Sequence, residues 1–320
     1  MKSSLITKIV LLVVAMAATF TLLTAQWEHT ESITIKESST SSRVVLESDI
    51  ENIMPEEQLA DIRRDQAQQE EEEAQLTSSD TETETSPEES EDDEEETQLP
   101  TYIEVTDACG PYYEGDCLNV RAAPSTAAEI QDKLRNGQVL KVEDRVQAEG
   151  LVWYKVVFDE WLRHPERLNG DWYVAAEYVR AVDPNTLTES ASSTSSPKRI
   201  VINLSEQKLY AYEGDDIYME EEVSTGVIGA LTPRGTFTVF YRTPSRYMQG
   251  PIPGITDDDY DLPGVPWNLY FTEQGAVIHG AYWHDKFGRN WSHGCVNLPP
   301  EKAMQLYAWT PEGTEVVVRD

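Results

Sequence analysis

The chain has 320 residues, a formal net charge of −33 at pH 7 and 39% hydrophobic residues. This length allows about two domains of ordinary size. No cluster of Lys or Arg stands out, so the composition argues against a nucleic-acid partner, whose phosphates need a basic surface. The charge is uneven, because residues 1–100 carry 25 acidic and 6 basic side chains, a net of −19.

Residues 1–27 are predicted to be an export segment. Lys2 and Lys8 precede an uncharged run at 9–27, which is long enough to span a bilayer. The best cleavage site, ending at Ala25, has a large residue where a small one is preferred. We therefore expect a membrane anchor, with a cleaved signal peptide as the alternative. The basic residues on the N-terminal side favour an extracytoplasmic location for the rest of the chain.

Residues 28–100 are predicted to be an acidic spacer. The segment includes the runs Glu70–Glu73 and Glu91–Glu96. Such a composition cannot bury enough apolar surface to offset the conformational entropy of the chain, so it is predicted to be disordered. Repulsion between like charges would extend it and hold the folded domains away from the membrane. A role in solubility alone is the alternative.

Residues 101–182 are predicted to form a small β domain. Runs of β-branched and aromatic residues between turn residues predict strands at Leu118–Arg121, Gln138–Val142, Val152–Phe158 and Trp172–Val174. The sequence Leu-Asn-Val-Arg-Ala-Ala-Pro at 118–124, followed by Gly-Asp-Trp-Tyr-Val at 170–174, resembles bacterial SH3-like domains. That resemblance implies a small β-barrel that binds cell-wall material.

Three tryptophans of this domain are candidates for its binding surface: Trp153, Trp161 and Trp172. Aromatic side chains dominate the cores of small domains, so at least one of the three is expected to pack inside.

The chain has three cysteines, an odd number for an exported protein. Cys109 and Cys117 are close in sequence and are predicted to form a disulfide in an oxidising compartment, with two buried thiols as the alternative. Cys295 is then left as a free thiol.

Residues 183–197 are predicted to be a flexible linker, and a second, mostly β domain follows at 198–320. One helix is predicted at Pro300–Trp309, because Pro300 suits a first helical position and the apolar residues share one face. The predicted strands are Ile200–Leu204, Lys208–Tyr212, Thr236–Tyr241 and Val316–Arg319.

Cys295 follows a cluster of three of the five histidines, His279, His284 and His293. A thiol is a weak nucleophile until it loses its proton, and a nearby histidine can take that proton and return it to a leaving amine. Gly294 would let the backbone approach a substrate carbonyl closely. Backbone N–H groups at the start of the predicted helix are candidates for stabilising the oxyanion.

Zinc binding is the rival interpretation of this cluster, since two or three histidines and a cysteine can ligate the metal. No Cys-x-x-Cys pair accompanies it, and metal ligation would occupy the odd thiol. The residues therefore favour a nucleophile and no metal.

The segment Ser-His-Gly-Cys-Val-Asn-Leu at 292–298, with His279-Gly280 upstream, resembles the active-site signature of the L,D-transpeptidase (YkuD-like) catalytic domain. The resemblance covers about residues 198–320 and implies a mostly β fold with one short helix after the cysteine. Many members of the family have Arg where this chain has Asn297. That difference concerns contacts with a substrate carboxylate and leaves the cysteine chemistry intact.

The resemblance assigns roles to individual residues. Cys295 would be the nucleophile, His279 the general base and His293 a supporting residue near the oxyanion. The carbonyl of Gly280 would orient the His279 ring. Ser292 would fix the turn.

Three further residues lie between these positions. Arg289 and Trp291 are candidates for lining a substrate groove. His284 has no essential role in the family pattern and is expected at the surface or in a substrate loop.

The implied reaction is acyl transfer on peptidoglycan stems, without a metal or an organic cofactor. Cys295 would attack a tetrapeptide stem and expel its terminal D-alanine, and an amine of a neighbouring stem would complete a 3→3 cross-link. With water as acceptor the protein would be an L,D-carboxypeptidase. Other cell-wall cysteine peptidases typically have the cysteine before the histidine, unlike His279 and Cys295 here. A catalytically inactive wall-binding protein is the non-enzymatic alternative.

Overall fold

The computed structural model describes residues 99–189, 196–252 and 256–320. The predicted export segment and the predicted acidic spacer, except its last two residues, lie outside the described residues. Within the described residues, no helix combines the length and the apolar character needed to cross a membrane.

The first domain is a seven-stranded antiparallel sheet. Its strands are β1 (Tyr102–Val105), β2 (Leu118–Arg121), β3 (Ile130–Leu134), β4 (Val139–Ala148), β5 (Leu151–Val156), β6 (Trp172–Ala175) and β7 (Val179–Val182). The strand order is β3-β2-β6-β5-β4-β1-β7. Alternating buried and half-buried side chains along β2 show that one face of the sheet covers a core.

The core of this domain contains two of the three tryptophans. Trp153 and Trp172 are almost fully buried, whereas Trp161 is half-buried in the loop between β5 and β6. Cys109 and Cys117 form a disulfide, as predicted, and Cys295 is a free thiol.

The segment predicted as a flexible linker begins with a short helix, α1 (Pro184–Glu189). Asp183 accepts a hydrogen bond from the Asn185 N–H at 2.9 Å, and Pro184 takes a first-turn position where its missing N–H costs nothing. This pair of N-terminal signals explains why the segment starts as a helix.

The second domain contains two sheets and one longer helix. Its elements are β8 (Lys198–Asn203), β9 (Lys208–Glu213), β10 (Asp216–Glu222), β11 (Gly235–Thr238), β12 (Tyr241–Gln249), β13 (Asp261–Tyr270), β14 (Val277–Gly280), β15 (Val296–Leu298), α2 (Pro300–Trp309) and β16 (Glu315–Arg319). The five-stranded sheet has the order β10-β9-β8-β16-β11, and the four-stranded sheet has the order β12-β13-β14-β15. The mainly β fold class predicted from the sequence is confirmed, and α2 has the predicted bounds.

The single strand predicted at Thr236–Tyr241 is divided between the two sheets. The N–H of Val239 donates to Thr314 before β16, at 2.9 Å, whereas the N–H of Phe240 donates to Tyr270 of β13, at 3.0 Å. The chain therefore passes from one sheet to the other at residues 239 and 240. Local propensity cannot show this change, because both halves remain extended.

The two domains share a hydrophobic core. Val139 and Val182 of the first domain belong to the same buried cluster as Trp267 and Leu298 of the second. The Gln138 side chain also donates a buried 2.7 Å hydrogen bond to the Pro263 carbonyl. These contacts fix the first domain against the second beside the four-stranded sheet.

Candidate active site

Two short parallel strands position the predicted nucleophile and base. In β14 and β15, Ile278 pairs with Val296 and His279 pairs with Asn297. Cys295 immediately precedes β15, and His279 lies within β14. Residues that face each other in parallel strands project to the same side of the sheet, so the pairing brings the two segments of the motif together.

Cys295 lines a cavity of about 340 Å³. Its sulfur lies 3.8 Å from the carbonyl oxygen of Gly275, and the residue packs beside Tyr270 and Val277. Burial raises the pKa of the Cys295 thiol to about 11, although a hydrogen bond with the Val277 backbone opposes this shift. The thiol therefore remains protonated at neutral pH and needs a base.

His279, the base predicted from the sequence, does not line the cavity. The ring is 2% exposed, and its Nδ1 lies 2.9 Å from the Gly280 carbonyl oxygen. We assign the proton to Nδ1, which donates to this carbonyl and leaves Nε2 as a proton acceptor. Burial lowers the pKa of His279 to about 4, with the hydrogen bond to Gly280 acting in the opposite direction. The imidazole is therefore neutral at pH 7.

Gly280 is closely packed on the side where a side chain would begin. A Cβ atom at this position would lie 2.8 Å from the Pro266 side chain and 3.0 Å from the Pro300 backbone. The site admits no larger residue without a shift of β14, and such a shift would move the carbonyl that orients His279.

The turn before the nucleophile is held by Ser292 and Gly294. The Ser292 hydroxyl donates to the Cys295 carbonyl and accepts a 3.2 Å hydrogen bond from the Gly294 N–H. Gly294 has a φ of +114°, in a region that residues with a Cβ rarely adopt. The structure thus places Ser292 in the turn, with both of its contacts made to the backbone.

His293 lines the cavity. Its Nε2 lies 2.8 Å from an Asp258 carboxylate oxygen, and its ring lies parallel to that of Tyr260 with centroids 6.1 Å apart. About a third of the side chain is exposed. His293 therefore lines the site with its ring held by two neighbours.

His284 is buried in the loop between β14 and β15, so of its two expected placements, the surface or a substrate loop, the surface is wrong. Its Nδ1 accepts a 3.1 Å hydrogen bond from the Lys286 N–H, which assigns the ring proton to Nε2. This Nε2 lies 2.9 Å from the Asn297 amide, whose other end has no partner among the described residues. With the amide turned over, the Asn297 oxygen accepts the proton.

Arg289 and Trp291, the residues predicted for a substrate groove, are exposed and do not line the cavity. The start of α2, considered for the oxyanion, does not line it either. Strand β15 separates Cys295 from this helix by about 10 Å of chain. Gly294 does line the cavity, but its N–H already donates to the Ser292 hydroxyl.

One wall of the cavity comes from the first domain, which the sequence did not predict. Trp161 and Arg163, in the loop between β5 and β6, line it together with Tyr260 and Cys295. From the sequence, Trp161 was only a candidate for binding cell-wall material, and no pattern indicated that this residue reaches the cavity. Among the described residues, no group of three or more His, Cys, Asp or Glu side chains could hold a metal ion.

Two families match the chain. The L,D-transpeptidase catalytic domain (YkuD) matches residues 197–318, and the bacterial SH3 domain matches residues 116–180. The chain contains an L,D-transpeptidase catalytic domain. The resemblance found in the sequence is thereby confirmed for both domains.

Relatives carry L,D-transpeptidase in their names. YqjB of Bacillus subtilis (strain 168) is 24% identical over 130 residues, which cover 38% of this chain and 70% of YqjB. ErfK/SrfK of Escherichia coli (strain K12) is 30% identical over 138 residues, covering 38% of this chain and 44% of that protein. A solved L,D-transpeptidase from Mycobacterium smegmatis is 20% identical, with a TM-score of 0.37, covering 57% of this chain and 99% of that chain.

Proposed function

We propose that the protein is a peptidoglycan L,D-transpeptidase that forms 3→3 cross-links through a Cys295 acyl-enzyme. The observation that carries the proposal is the free thiol of Cys295, which lines the cavity and immediately precedes the strand paired with that of the buried, neutral His279. Two adjacent strands thus carry the two kinds of side chain, a thiol and an imidazole, that cysteine-dependent acyl transfer uses.

In the first step, the Cys295 sulfur attacks the carbonyl between the third and fourth residues of a tetrapeptide stem. The C–S bond forms as Nε2 of His279 takes the thiol proton. Among the described residues, no hydrogen bond joins this ring to the sulfur, so the two groups must approach when substrate binds. The oxyanion collapses, the C–N bond breaks, and D-alanine leaves with the proton from His279.

In the second step, His279 takes a proton from the amine of a neighbouring stem. The amine attacks the thioester, the C–S bond breaks, and the thiol regains its proton. Water in place of the amine would release a tripeptide stem, which is the L,D-carboxypeptidase alternative. The steps require only groups of this chain and the two stems.

Product analysis separates these alternatives. The purified protein would be incubated with tetrapeptide-containing wall fragments, and the products resolved by mass spectrometry. We expect D-alanine together with 3→3 dimers. Tripeptide monomers with D-alanine would indicate a carboxypeptidase. Cleavage elsewhere in the stem would indicate another cysteine peptidase, and unchanged fragments would support an inactive wall-binding protein.

We also propose that residues 101–320 act outside the cytoplasm, at the cell wall. The predicted export segment, as a membrane anchor or a cleaved signal, and the two domain families support this location. Protease added to intact, wall-stripped cells should degrade both domains. Their survival, with degradation after lysis, would contradict the proposed topology.

A further inference from the structure

The loop between β5 and β6 of the SH3 domain is tied to the catalytic domain on both sides of its tip. Before the tip, Glu160 pairs with Arg246 and accepts a 2.8 Å hydrogen bond from the Tyr247 N–H. Side-chain exposure at this ion pair is only 18% for Glu160 and 10% for Arg246. The loop therefore starts from a fixed point on β12.

After the tip, the backbone of His164 exchanges two hydrogen bonds with the Gln249 side chain, at 2.8 and 3.1 Å. Arg167 then donates to the Gly250 carbonyl at 2.9 Å and pairs with Asp259 at 2.8 Å. The tip of the loop, held at both ends by these contacts, contributes one wall of the cavity.

Trp161 and Arg163 are the two residues of the tip that line the cavity. The Arg163 guanidinium lies 5.5 Å from the centre of the Trp161 ring, within the range of a cation–π contact. Such stacking leaves the edge of the guanidinium available for two parallel hydrogen bonds to a carboxylate.

Arg163 differs from the other basic side chains of the cavity. Arg246 is paired with Glu160, and His293 with Asp258. Within residues 99–189, 196–252 and 256–320, Arg163 has no ion pair. An uncompensated cation in a cavity attracts an anionic group, particularly in a chain with a net charge of −33 that otherwise repels one.

We infer that the SH3 domain supplies a substrate subsite of the active site, in which Arg163, backed by Trp161, binds a carboxylate of the donor stem. The inference rests on the proposed function and extends it. The SH3 domain would then select substrate within the active site, in addition to any contact with wall material elsewhere on its surface. Arg163 acts as a specificity-determining residue, and the chemistry remains with Cys295 and His279.

The test is equilibrium binding to a full-chain Cys295→Ala protein, in which no turnover occurs. A tetrapeptide donor would be titrated calorimetrically into this background and into the same background carrying Arg163→Ala, Arg163→Lys or Arg145→Ala. Arg145 is an exposed arginine of β4 in the same domain that does not line the cavity, so it is the matched charge control.

We expect Arg163→Ala to raise the Kd about 10- to 100-fold, the range for losing a charge-assisted hydrogen-bond pair. The Kd of Arg163→Lys should lie between those of the background protein and of Arg163→Ala, because an ammonium group keeps the charge but loses the bidentate geometry. Arg145→Ala should bind as the background does.

Two amidated donors identify the carboxylate. One has its terminal carboxylate amidated and the other its side-chain carboxylates. The amidation that removes the contacted group should weaken binding to the background protein and leave Arg163→Ala unaffected. Equal binding by Arg163→Ala and Arg145→Ala, no measurable binding to the background protein, or an Arg163→Ala loss that persists with both amidated donors would overturn the inference.

The activity of the protein with Cys295 intact separates this inference from the proposed function. If donor binding depends on Arg163 but no D-alanine is released, the proposed function is contradicted and the subsite is supported. If D-alanine is released but donor binding does not depend on Arg163, only the subsite is contradicted.

Discussion

Burial shifts the pKa values of Cys295 and His279 in opposite directions. The pKa of Cys295 rises to about 11 and that of His279 falls to about 4, so both are neutral in the free protein. An imidazolium–thiolate pair is therefore strongly disfavoured before substrate binds. In the proposed mechanism the proton moves to His279 as the C–S bond forms, so His279 acts as a general base and not as the counter-ion of a resting thiolate.

Replacement of His279 tests this role. His279→Ala should lose at least about 100-fold in D-alanine release, approaching Cys295→Ala, because nucleophile and base act as one unit. His293→Ala should lose less activity, since about a third of that side chain is exposed and its ring is already paired with Asp258. Initial rates and circular dichroism of the three variants provide the measurement. If His279→Ala were fully active and His293→Ala inactive, His293 would be the general base.

Buried His284 should make the protein sensitive to acid. Burial, reinforced by nearby His279, lowers the pKa of His284 from 6.5 to about 4. Between these two pH values His284 is protonated in the unfolded chain but neutral in the folded protein. The free energy of unfolding therefore falls as the pH drops from about 6.5 to 4.

The measurement compares Tm at pH 7 and pH 4.5 for the wild type and His284→Asn. Asn cannot titrate, so the variant should lose less Tm on acidification, whatever its Tm at pH 7. An identical fall in both proteins would show that His284 has an ordinary pKa in the folded state.

At the scale of elements, sequence patterns identified what depends on neighbours in the chain. The bounds of α2 were predicted because Pro300 marks its start and its apolar residues share one face. The strand Leu118–Arg121 was predicted for similar local reasons. Strands β14 and β15 were not, because four and three residues carry too little periodicity, and their parallel pairing depends on tertiary packing.

The turn between Ser292 and Cys295 gives a prediction at this scale. Gly294→Ala should cost about 1–3 kcal/mol of stability, because its φ of +114° is strained for a residue with a Cβ. It should also abolish labelling of Cys295 by donor, since relaxation of the turn moves the sulfur.

Gly313→Ala is the matched control. Gly313 also has a positive φ, +86°, and open space for a Cβ, but it precedes β16 away from the cavity. Urea unfolding and donor labelling should show both variants destabilised and only Gly294→Ala unreactive. Normal labelling of Gly294→Ala would show that the turn does not position the sulfur.

At the scale of the whole molecule, the contribution of the SH3 domain to the cavity lay beyond sequence reasoning. The two domains were identified separately, each from its own motifs. The hydrogen bonds between His164 and Gln249 join residues 85 positions apart, and no local pattern marks such a pair. The sequence therefore predicted the Cys–His cluster but not that Trp161 and Arg163 line the same cavity as Cys295.

The pair between Glu160 and Arg246 predicts how firmly the domains are joined. Glu160→Ala should destabilise the protein by about 3–5 kcal/mol, because it leaves a buried guanidinium without its carboxylate. Glu143→Ala, which breaks the more exposed pair with Lys155, should cost less than about 1 kcal/mol. Urea unfolding of both variants is the measurement. Similar small losses would show that the interface pair is not buried in solution.

Formation of a covalent acyl-enzyme on Cys295 is tested most directly by intact-mass measurement. The family resemblance implies that a carbapenem mimics the donor and acylates the thiol slowly enough to be trapped. We predict one adduct per chain, mapped to the peptide that contains Cys295 and absent from Cys295→Ser. The same protein should release D-alanine from a tetrapeptide stem but not from a pentapeptide stem. An adduct on another residue, or a folded protein that forms no adduct and releases no D-alanine, would contradict the account.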